Sequence, residues 1–161
     1  ASFMVDIAPS GVFMNHGSDQ LNFQFRSNKS SEFKPLKKIV SGGELSRIML
    51  AIKAILSRYI KLPTLIFDEI DTGVSGKISD SIAEVMVSMG QKLQLINITH
   101  LPQVAAKGDY HFKVLKKEQD GKTLTQLFSL NKQARIEEIA MMLSGNQVTP
   151  TAIAHAKQLM N

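Results

Sequence analysis

One short apolar run that ends in two acidic residues restricts the fold of this chain more than any other feature. Leu65, Ile66 and Phe67 are continuously apolar, and Asp68 and Glu69 follow them directly. An unbroken apolar run of this length is typical of a strand that is buried on both faces, as in a parallel sheet. Parallel neighbours need a crossover connection, which is usually a helix. The sequence therefore predicts a βαβ unit and a fold of the α/β class.

A helix and a second strand follow this run in the expected order. Apolar residues recur at helical spacing in the next segment, namely Ile78, Ile82, Val85, Met86 and Met89. The run 93–99 is predicted to be the second strand, and His100 follows it. Because strand–helix–strand crossovers are right-handed, both strands should end at the same edge of the sheet. His100 is therefore predicted to lie near Asp68 and Glu69, at the edge where open α/β sheets bind ligands.

The two adjacent carboxylates are candidates for different roles. Consecutive strand residues point to opposite sides of a sheet, so Asp68 and Glu69 need not act on the same atom. Asp68 is a candidate ligand of Mg²⁺, and Glu69 is a candidate to polarise an attacking water. His100 is a candidate phosphate contact, although a lone histidine is more often structural. The alternative interpretation of the acidic pair is that both residues open a solvated turn. The Gly-rich segment 71–76 that follows makes this interpretation weaker.

A second segment predicts a helix whose start faces an anion. Ser41 and Glu44 form the S-x-x-E pattern of a capping box, in which each side chain satisfies an amide at the helix start. Apolar residues then recur at helical spacing, namely Leu45, Ile48, Met49, Ile52, Ile55, Leu56 and Tyr59. Gly42 and Gly43 have no Cβ atom, so a phosphate could approach the exposed amides, where the helix dipole also favours an anion. An ordinary capped helix is the alternative.

Three motifs in this order resemble the SMC-like branch of the ABC ATPases, and within it the RecN family of bacterial DNA repair proteins. SGGELSR at 41–47 resembles the ABC signature, 63–76 resembles Walker B and the D-loop, and THLPQVAA at 99–106 resembles the switch-histidine segment. The resemblance covers nearly the whole chain. It implies one domain over residues 1–161, the C-terminal lobe of a P-loop NTPase head. Such a lobe is α/β, with a mostly parallel sheet, flanking helices and β-hairpins.

The resemblance also implies a composite site for ATP and Mg²⁺. In such a site the signature residues of one head contact the nucleotide of a second head, and here these residues are Ser41, Gly42, Gly43 and Glu44. Asp68 is implied to bind the metal, while Glu69 and His100 act catalytically in their own head. Asp71 is implied as a further nucleotide contact. Ser75 stands where many relatives have an aspartate in the D-loop, so Asp71 is the stronger candidate of the two.

The sequence contains no P-loop. This motif requires G-x-x-x-x-G-K-[S/T], because its amides cradle the phosphates and its hydroxyl binds Mg²⁺. The chain has two Gly-Lys pairs, and Asp71 and Lys116 stand where the leading glycine belongs. In the family, the P-loop lies in an N-terminal lobe beyond a long coiled coil. The expected partners are therefore that lobe of the same protein and a second head in a homodimer, and the isolated chain is expected to be inactive as an ATPase.

Charge and composition limit the classes of partner. The chain has a net charge of +5, and its basic residues cluster at 26–61 and 113–122. DNA is a predicted partner of either cluster, and a solvated surface is the alternative. The absence of cysteine excludes thiolate chemistry, and no apolar run approaches 18 residues, so a membrane partner is not expected. The resemblance implies a bacterial cytoplasmic, nucleoid-associated protein that acts in recombinational repair of DNA double-strand breaks.

Two other functional classes fit part of the sequence. A metal-dependent hydrolase or nuclease would use Asp68, Glu69, Asp71 and His100 as ligands. A DNA-binding module that needs no nucleotide would use the basic stretch 26–61. Neither class accounts for the signature-like segment.

The remaining segments predict antiparallel strands and closing helices. Alternating apolar and polar residues at 2–7 and 21–26 predict half-buried strands, with a turn at 17–19. Asp120-Gly121 between two further runs is a strong hairpin signal. Helices are predicted over 135–143 and 150–160.

Overall fold

The computed structural model describes residues 1–26, 28–38, 42–71, 73–74, 76–119, 121–145 and 147–161. The strands are β1 (Ser2–Met14), β2 (Gly17–Arg26), β3 (Lys34–Pro35), β4 (Thr64–Asp68), β5 (Gln94–Ile98), β6 (Phe112–Gln119) and β7 (Lys122–Ser129). The helices are α1 (Gly42–Leu56), α2 (Lys77–Gly90), α3 (Pro102–Ala106), α4 (Lys132–Ser144) and α5 (Pro150–Met160), and a 3-10 turn covers Leu36–Lys38. The chain divides into two compact units, Ala1–Ile48 and Met49–Asn161.

The first unit is built on a long antiparallel hairpin of β1 and β2, to which β3 adds a short edge. Both strands are longer than the sequence predicted. The expected turn at 17–19 is wrong, because the chain reverses at 15–16 and Gly17 already pairs with Met14. Asn15 suits a two-residue turn, and Gly17 accepts a φ of 118° that other residues avoid. The register shifts between Pro9 and Met14, where Gly11 has a φ of 70°.

One face of this hairpin is apolar, as the alternating pattern predicted. It contains three cross-strand pairs, namely Phe3 with Phe25, Val5 with Phe23, and Ile7 with Leu21. The rings of Phe3 and Phe25 meet edge to face, with their centroids 5.6 Å apart. Such cross-strand pairs are the unit that stabilises an antiparallel sheet. Only Phe25 is buried, so most of this face is open.

The second unit contains the predicted βαβ crossover. β4 and β5 are parallel, with Thr64 opposite Gln94 and Asp68 opposite Ile98, and α2 connects them. Their core is formed by Leu50, Phe67, Val74, Ile82, Ala83, Met86, Met89 and Val104. The buried face of α2 is shifted slightly from the predicted one, since Ile78 and Val85 are exposed and Ser79 and Ala83 are buried instead.

The α/β class is confirmed, but the parallel part is smaller than expected. Of the strands that the structure describes, only β4 and β5 pair in parallel. The prediction that this sheet is buried on both faces is also wrong. Phe67 is 2% exposed, whereas Ile66 is 60%, Ile96 44% and Ile98 51% exposed on the opposite face. A single layer, which includes α2, covers the sheet, so one apolar face is left open.

A second core closes the unit at its C-terminal end. Residues of α3, α4 and α5 form it, namely Ala106, Ile136, Ile139, Ala140, Ala152 and Ala156. α4 starts three residues earlier than predicted, because Asn131 caps it by accepting a hydrogen bond from the Ala134 amide. The predicted hairpin is confirmed as β6 and β7, with Asp120 outside the described residues. Within the described parts of the chain, no helix is long and apolar enough to cross a membrane.

Candidate functional site

The acidic pair and the histidine segment lie at one edge of the parallel sheet. Asp68 is the last residue of β4 and lies opposite Ile98, the last residue of β5. The Glu69 amide donates to the Ile98 carbonyl at 3.1 Å, so the two chain segments stay paired one residue beyond the strands. His100 follows two residues after Ile98. The structure therefore brings Asp68, Glu69 and His100 to the sheet edge where the crossover predicted them.

Glu69 has an unusual backbone conformation. Its φ is 47°, and it is the one non-glycine residue with a positive φ among those described. This left-handed region is unfavourable for residues with a Cβ atom. Strained residues of this kind cluster at active sites, where the surrounding structure holds them in place. Both Asp68 and Glu69 are exposed at the edge, as residues that act on a ligand must be.

Asp71 lies behind this edge and is fully buried. One carboxylate oxygen, Oδ2, accepts a hydrogen bond from the Thr99 hydroxyl. The Thr99 oxygen in turn accepts from the Leu101 amide at 2.9 Å. The other carboxylate oxygen, Oδ1, lies 3.7 Å from Nδ1 of His100, whose side chain is 60% exposed. Asp71, Thr99 and His100 therefore form a connected group that reaches from the interior to the surface.

The loop after Asp71 depends on two glycines. Gly73 has a φ of 73° and Gly76 a φ of 57°, both in the region that favours glycine. Between them Val74 is buried in the core, and its amide donates to the Asp71 carbonyl at 3.2 Å. α2 begins directly after Gly76. The D-loop prediction for Ser75 falls outside the described residues.

The signature-like helix starts where the sequence predicted. α1 begins at Gly42, and Glu44 lies in its first turn. Gly43 and Glu44 are partly buried. The predicted cap Ser41 lies outside the described residues. The nucleotide contacts assigned to Ser41, Gly42, Gly43 and Glu44 stay predictions.

Two residues of this region were missed by reasoning from the sequence. Thr99 looked like the end of a strand, yet its hydroxyl connects Asp71 to the main chain. Asn97 lies opposite Phe67 in β5, and both polar atoms of its amide are buried without a hydrogen bond from the described residues. Buried polar groups that lack partners are rare and often functional. A polar residue inside an apolar strand was the signal for Asn97, whereas Thr99 belongs to the motif 99–106 but nothing in the sequence indicated its contact with Asp71.

The structure does not favour the set of metal ligands that a hydrolase would need. Among the residues described, no three His, Cys, Asp or Glu side chains come close enough to hold a metal ion. Asp71 in particular is turned inward to Thr99. Mg²⁺ bound with nucleotide needs only one or two carboxylates besides phosphates and waters. Asp68, an exposed carboxylate at the ligand edge, fits that requirement.

Some basic residues have structural partners, and others have none among the residues that the structure describes. Arg26 lies 4.6 Å from the ring centre of Phe33, and Lys53 lies 5.0 Å from that of Phe67. Lys113 forms an ion pair with Glu138. Seven other lysines of the two predicted clusters are exposed, namely Lys29, Lys34, Lys38, Lys61, Lys116, Lys117 and Lys122. Lys53 and Lys113 are therefore poorer candidates for phosphate contacts than the sequence suggested.

His111 at the base of the β6–β7 hairpin is the titratable group most clearly affected by its surroundings. Burial is the main cause that lowers its pKa, and the positive charges of Arg135 and Lys113 lower it further. Glu138 opposes these effects by favouring the charged imidazole. The Nδ1 atom is buried and has no hydrogen bond from a described residue. The neutral imidazole is therefore favoured in the folded chain.

Comparison with solved structures identifies the fold. An SMC head domain with a coiled coil and joint from Pyrococcus yayanosii superposes with a TM-score of 0.63 at 19% identity, covering 90% of this chain and 26% of that one. An SMC ATPase structure on ATP-driven dimerization and DNA-stimulated activation superposes with a TM-score of 0.58 at 20% identity, covering 89% and 83%. At these identities the likeness establishes the fold, which is that of an SMC head lobe.

Comparison of sequences identifies closer relatives. DNA repair protein RecN of Bacillus subtilis is 44% identical over 144 residues, 89% of this chain and 25% of the relative. RecN of Halalkalibacterium halodurans is 42% identical over 149 residues, and RecN of Vibrio cholerae is 40% identical over 161. The chain spans about a quarter of the length of these curated relatives. A scan against protein-family profiles finds no match. On the strength of the RecN relatives and the SMC head fold, the chain belongs to the RecN family of SMC-like proteins.

Proposed function

We propose that this chain is the C-terminal lobe of an ATP-binding and ATP-hydrolysing head in a bacterial DNA repair protein. One observation carries the proposal: Asp68, Glu69 and His100 share one edge of a parallel sheet, and the Glu69 backbone has a left-handed conformation at that edge. This edge is where open α/β sheets bind their ligands. The RecN relatives are DNA repair proteins by name, which supports DNA repair as the biological setting. Recombinational repair of double-strand breaks is the specific setting that we propose.

In the proposed site each edge residue has one task. Asp68 would hold Mg²⁺ through its exposed carboxylate, and the metal would supply charge stabilisation for the phosphates. Glu69 orients and polarises the attacking water, and His100 contacts the terminal phosphate. Phosphoryl transfer depends mainly on positioning and on charge stabilisation, so three fixed groups of this kind suit the reaction. The bound nucleotide supplies the phosphoryl group that is transferred.

The proposed site needs groups that the sequence lacks. The phosphate cradle of a P-loop would come from the N-terminal lobe of the same protein. We propose that this lobe packs on the exposed face of β4 and β5, which is formed by Ile66, Ile96 and Ile98. Parallel sheets are normally covered on both faces. The chain is about a quarter of its relatives' length, so the remainder of such a protein is long enough to supply the cover.

A second head completes the proposed site in a homodimer. Ser41, Gly42, Gly43 and Glu44 of one head would contact the nucleotide held by the other head, through the amides at the start of α1. Both units of the chain would act together as one lobe over residues 1–161. Such a protein is expected in the bacterial cytoplasm on the nucleoid, without a membrane partner. DNA would contact the exposed lysines that have no structural partner.

Substitution of the two acids in a protein that carries both lobes tests the proposed chemistry. Glu69→Gln should leave Mg-ATP binding intact and abolish turnover, which traps paired heads, because the amide cannot polarise the water. Asp68→Asn should instead weaken binding of ATP in the presence of Mg²⁺, while binding measured with EDTA changes little. Nucleotide binding by calorimetry and phosphate release would be measured for each variant. Identical loss of nucleotide binding in both would show that both acids are metal ligands, in favour of the hydrolase alternative.

Mixed dimers test the proposed contact between heads. Ser41→Arg places bulk and charge in the composite site, whereas loss of a mere cap would cost ~0.5 to 2 kcal/mol within its own subunit. A dimer of a Ser41→Arg subunit and a P-loop-dead subunit should retain one intact site. Both lesions in one subunit, paired with a normal partner, should damage both sites. Equal activity of the two mixtures, corrected for dimer content, would show that the contact between heads is wrongly assigned.

A further inference from the structure

We propose that Asp71 and Thr99 are positioning residues that fix the orientation and the tautomer of His100. The Thr99 hydroxyl holds one carboxylate oxygen of Asp71, and a small rotation of the His100 ring would let the other oxygen accept the Nδ1–H of His100. The ring is then held by its Nδ1 edge and presents Nε2 to the ligand side, where a hydrogen bond donated to the terminal phosphate requires a second ring proton on Nε2. The consequence for catalysis rests on the proposed function of His100, whereas the orientation itself does not.

The first half of this arrangement is a chain of hydrogen bonds with a fixed direction. The Leu101 amide donates to the Thr99 oxygen at 2.9 Å, and the Thr99 hydroxyl donates to Oδ2 of Asp71. A hydroxyl has one proton to donate, and in this bond the Thr99 hydroxyl is the donor. The Thr99 proton must therefore point to Asp71. The main chain of the segment after β5 thus sets the orientation of a carboxylate that follows β4.

The second half depends on the unpaired oxygen of the same carboxylate. Oδ1 of Asp71 is buried and accepts no hydrogen bond from any residue that the structure describes. Its distance to Nδ1 of His100 is 3.7 Å, slightly beyond hydrogen-bond length. A buried acceptor without a donor is costly, so closing this gap is favourable. The His100 side chain is 60% exposed, which leaves its ring free to make the small rotation required.

Two other roles for Asp71 agree less well with the structure. A direct ligand of metal or nucleotide should reach the exposed edge, but the Asp71 side chain is fully buried. A carboxylate that only stabilises its own loop should bond nearby amides. Among the residues that the structure describes, the Asp71 carboxylate bonds to Thr99, 28 residues away, while the Asp71 carbonyl accepts from the Val74 amide. A carboxylate behind a histidine is the usual means of fixing which ring nitrogen carries the proton.

The tautomer of His100 can be measured directly in this chain. In a ¹H–¹⁵N long-range spectrum of ¹⁵N-histidine-labelled protein at pH 8, His100 should show the pattern of a ring protonated at Nδ1. The exposed His16 and His155 serve as internal references and should show ordinary averaged patterns. Asp71→Asn should move His100 away from the Nδ1–H pattern and leave the references unchanged. A His100 pattern like that of the references in the unchanged protein would overturn the proposal.

A second variant protects the test against misfolding. If Asp71→Asn does not fold, Thr99→Val takes its place, because it removes the hydroxyl that holds the carboxylate and keeps the shape of the side chain. Thr99→Ser is the matched control, since it retains the hydroxyl. The fixed Nδ1–H pattern should be lost in Thr99→Val and kept in Thr99→Ser. If the pattern is the same in both variants, Thr99 does not position Asp71 and the proposal fails.

Turnover in a protein with both lobes separates this proposal from the proposed function. Asp71→Asn should lower kcat on the order of 10- to 100-fold, the usual effect of losing a residue that orients a histidine, with little change in KM for ATP. Glu69→Gln is the reference. If Glu69→Gln abolishes turnover and Asp71→Asn does not lower it, the positioning role alone is wrong. If Glu69→Gln has no effect either, the proposed function itself is wrong, and the tautomer experiment still decides the orientation of His100.

Discussion

The left-handed conformation of Glu69 predicts that glycine is more stabilising than alanine at this position. For a residue with a Cβ atom this conformation costs roughly 1–2 kcal/mol, which glycine does not pay. Glycine loses more backbone freedom on folding than alanine, at a cost of roughly 0.5–1 kcal/mol. With a φ of 47° at Glu69, the first effect should exceed the second. We therefore expect Glu69→Gly to be more stable than Glu69→Ala by about 0.5 to 1 kcal/mol.

The comparison of two variants isolates the backbone, because both lack the Glu69 carboxylate and its interactions. Urea unfolding followed by circular dichroism would give the free energy of unfolding of each variant. In a chain of 161 residues the difference corresponds to a shift in Tm of roughly 1–4 °C. Both variants should lack ATP turnover when joined to the other lobe, since neither can orient the water.

An exposed position in a helix supplies the matched control. Glu84 lies in α2 and is exposed, so the same pair of substitutions there should give the opposite order. Glu84→Gly should be less stable than Glu84→Ala by about 1 kcal/mol, the ordinary cost of glycine in a helix. If the Glu69→Ala variant is at least as stable as the Glu69→Gly variant, the strain attributed to Glu69 does not exist. The structural support for its place in the active site would then be lost.

Three further predictions concern acid stability, DNA and the isolated chain. Because the folded chain holds the pKa of His111 below its ordinary value of 6.5, the folded state binds fewer protons than the unfolded state at mildly acidic pH. The contribution of His111 to stability is therefore fully present above pH 6.5 and is lost as the pH falls from 6.5 towards the lowered pKa. Urea unfolding at pH 7.5 and 5.5 should show this loss, and His111→Gln should reduce it; an equal loss in the variant would contradict the assignment. Lys117 and Lys122 share one face of the β6–β7 hairpin. Changing both to Glu should reduce the slope of log binding constant against log salt concentration for DNA by about 1.8. The control pair Lys92→Glu and Lys107→Glu, also at exposed positions, should leave this slope unchanged. Equal slopes in the two pairs would make the hairpin an ordinary solvated surface. The isolated chain should release no phosphate from ATP above background, and turnover of several per minute that Glu69→Gln abolishes would show that the site does not need a P-loop.

The sequence alone was sufficient for the elements whose signals are local. The apolar run before Asp68, the helical spacing of α2 and the order of strand and helix predicted the crossover, and this order alone placed His100 at the same edge. The starts of α1 and α5 were equally readable, because capping patterns act within one turn of the chain. The exposed and polar residues at the edge were therefore identified before any coordinates.

Tertiary structure decided what depends on residues far apart in the chain. The pairing of Asp71 with Thr99 and His100 joins positions 28 or more residues apart, and no pattern of spacing encodes it. The strained backbone of Glu69 follows β4 directly and is tied to the end of β5 by the bond from its amide to the Ile98 carbonyl, whereas its residue type gave no sign of strain. The exposed face around Ile66 contradicted the prediction that this strand is buried on both faces of the sheet. An apolar run indicates that a face must be covered, but it does not indicate which part of the protein covers it. Local sequence thus determined where the candidate site lies, and long-range packing determined how its groups are held.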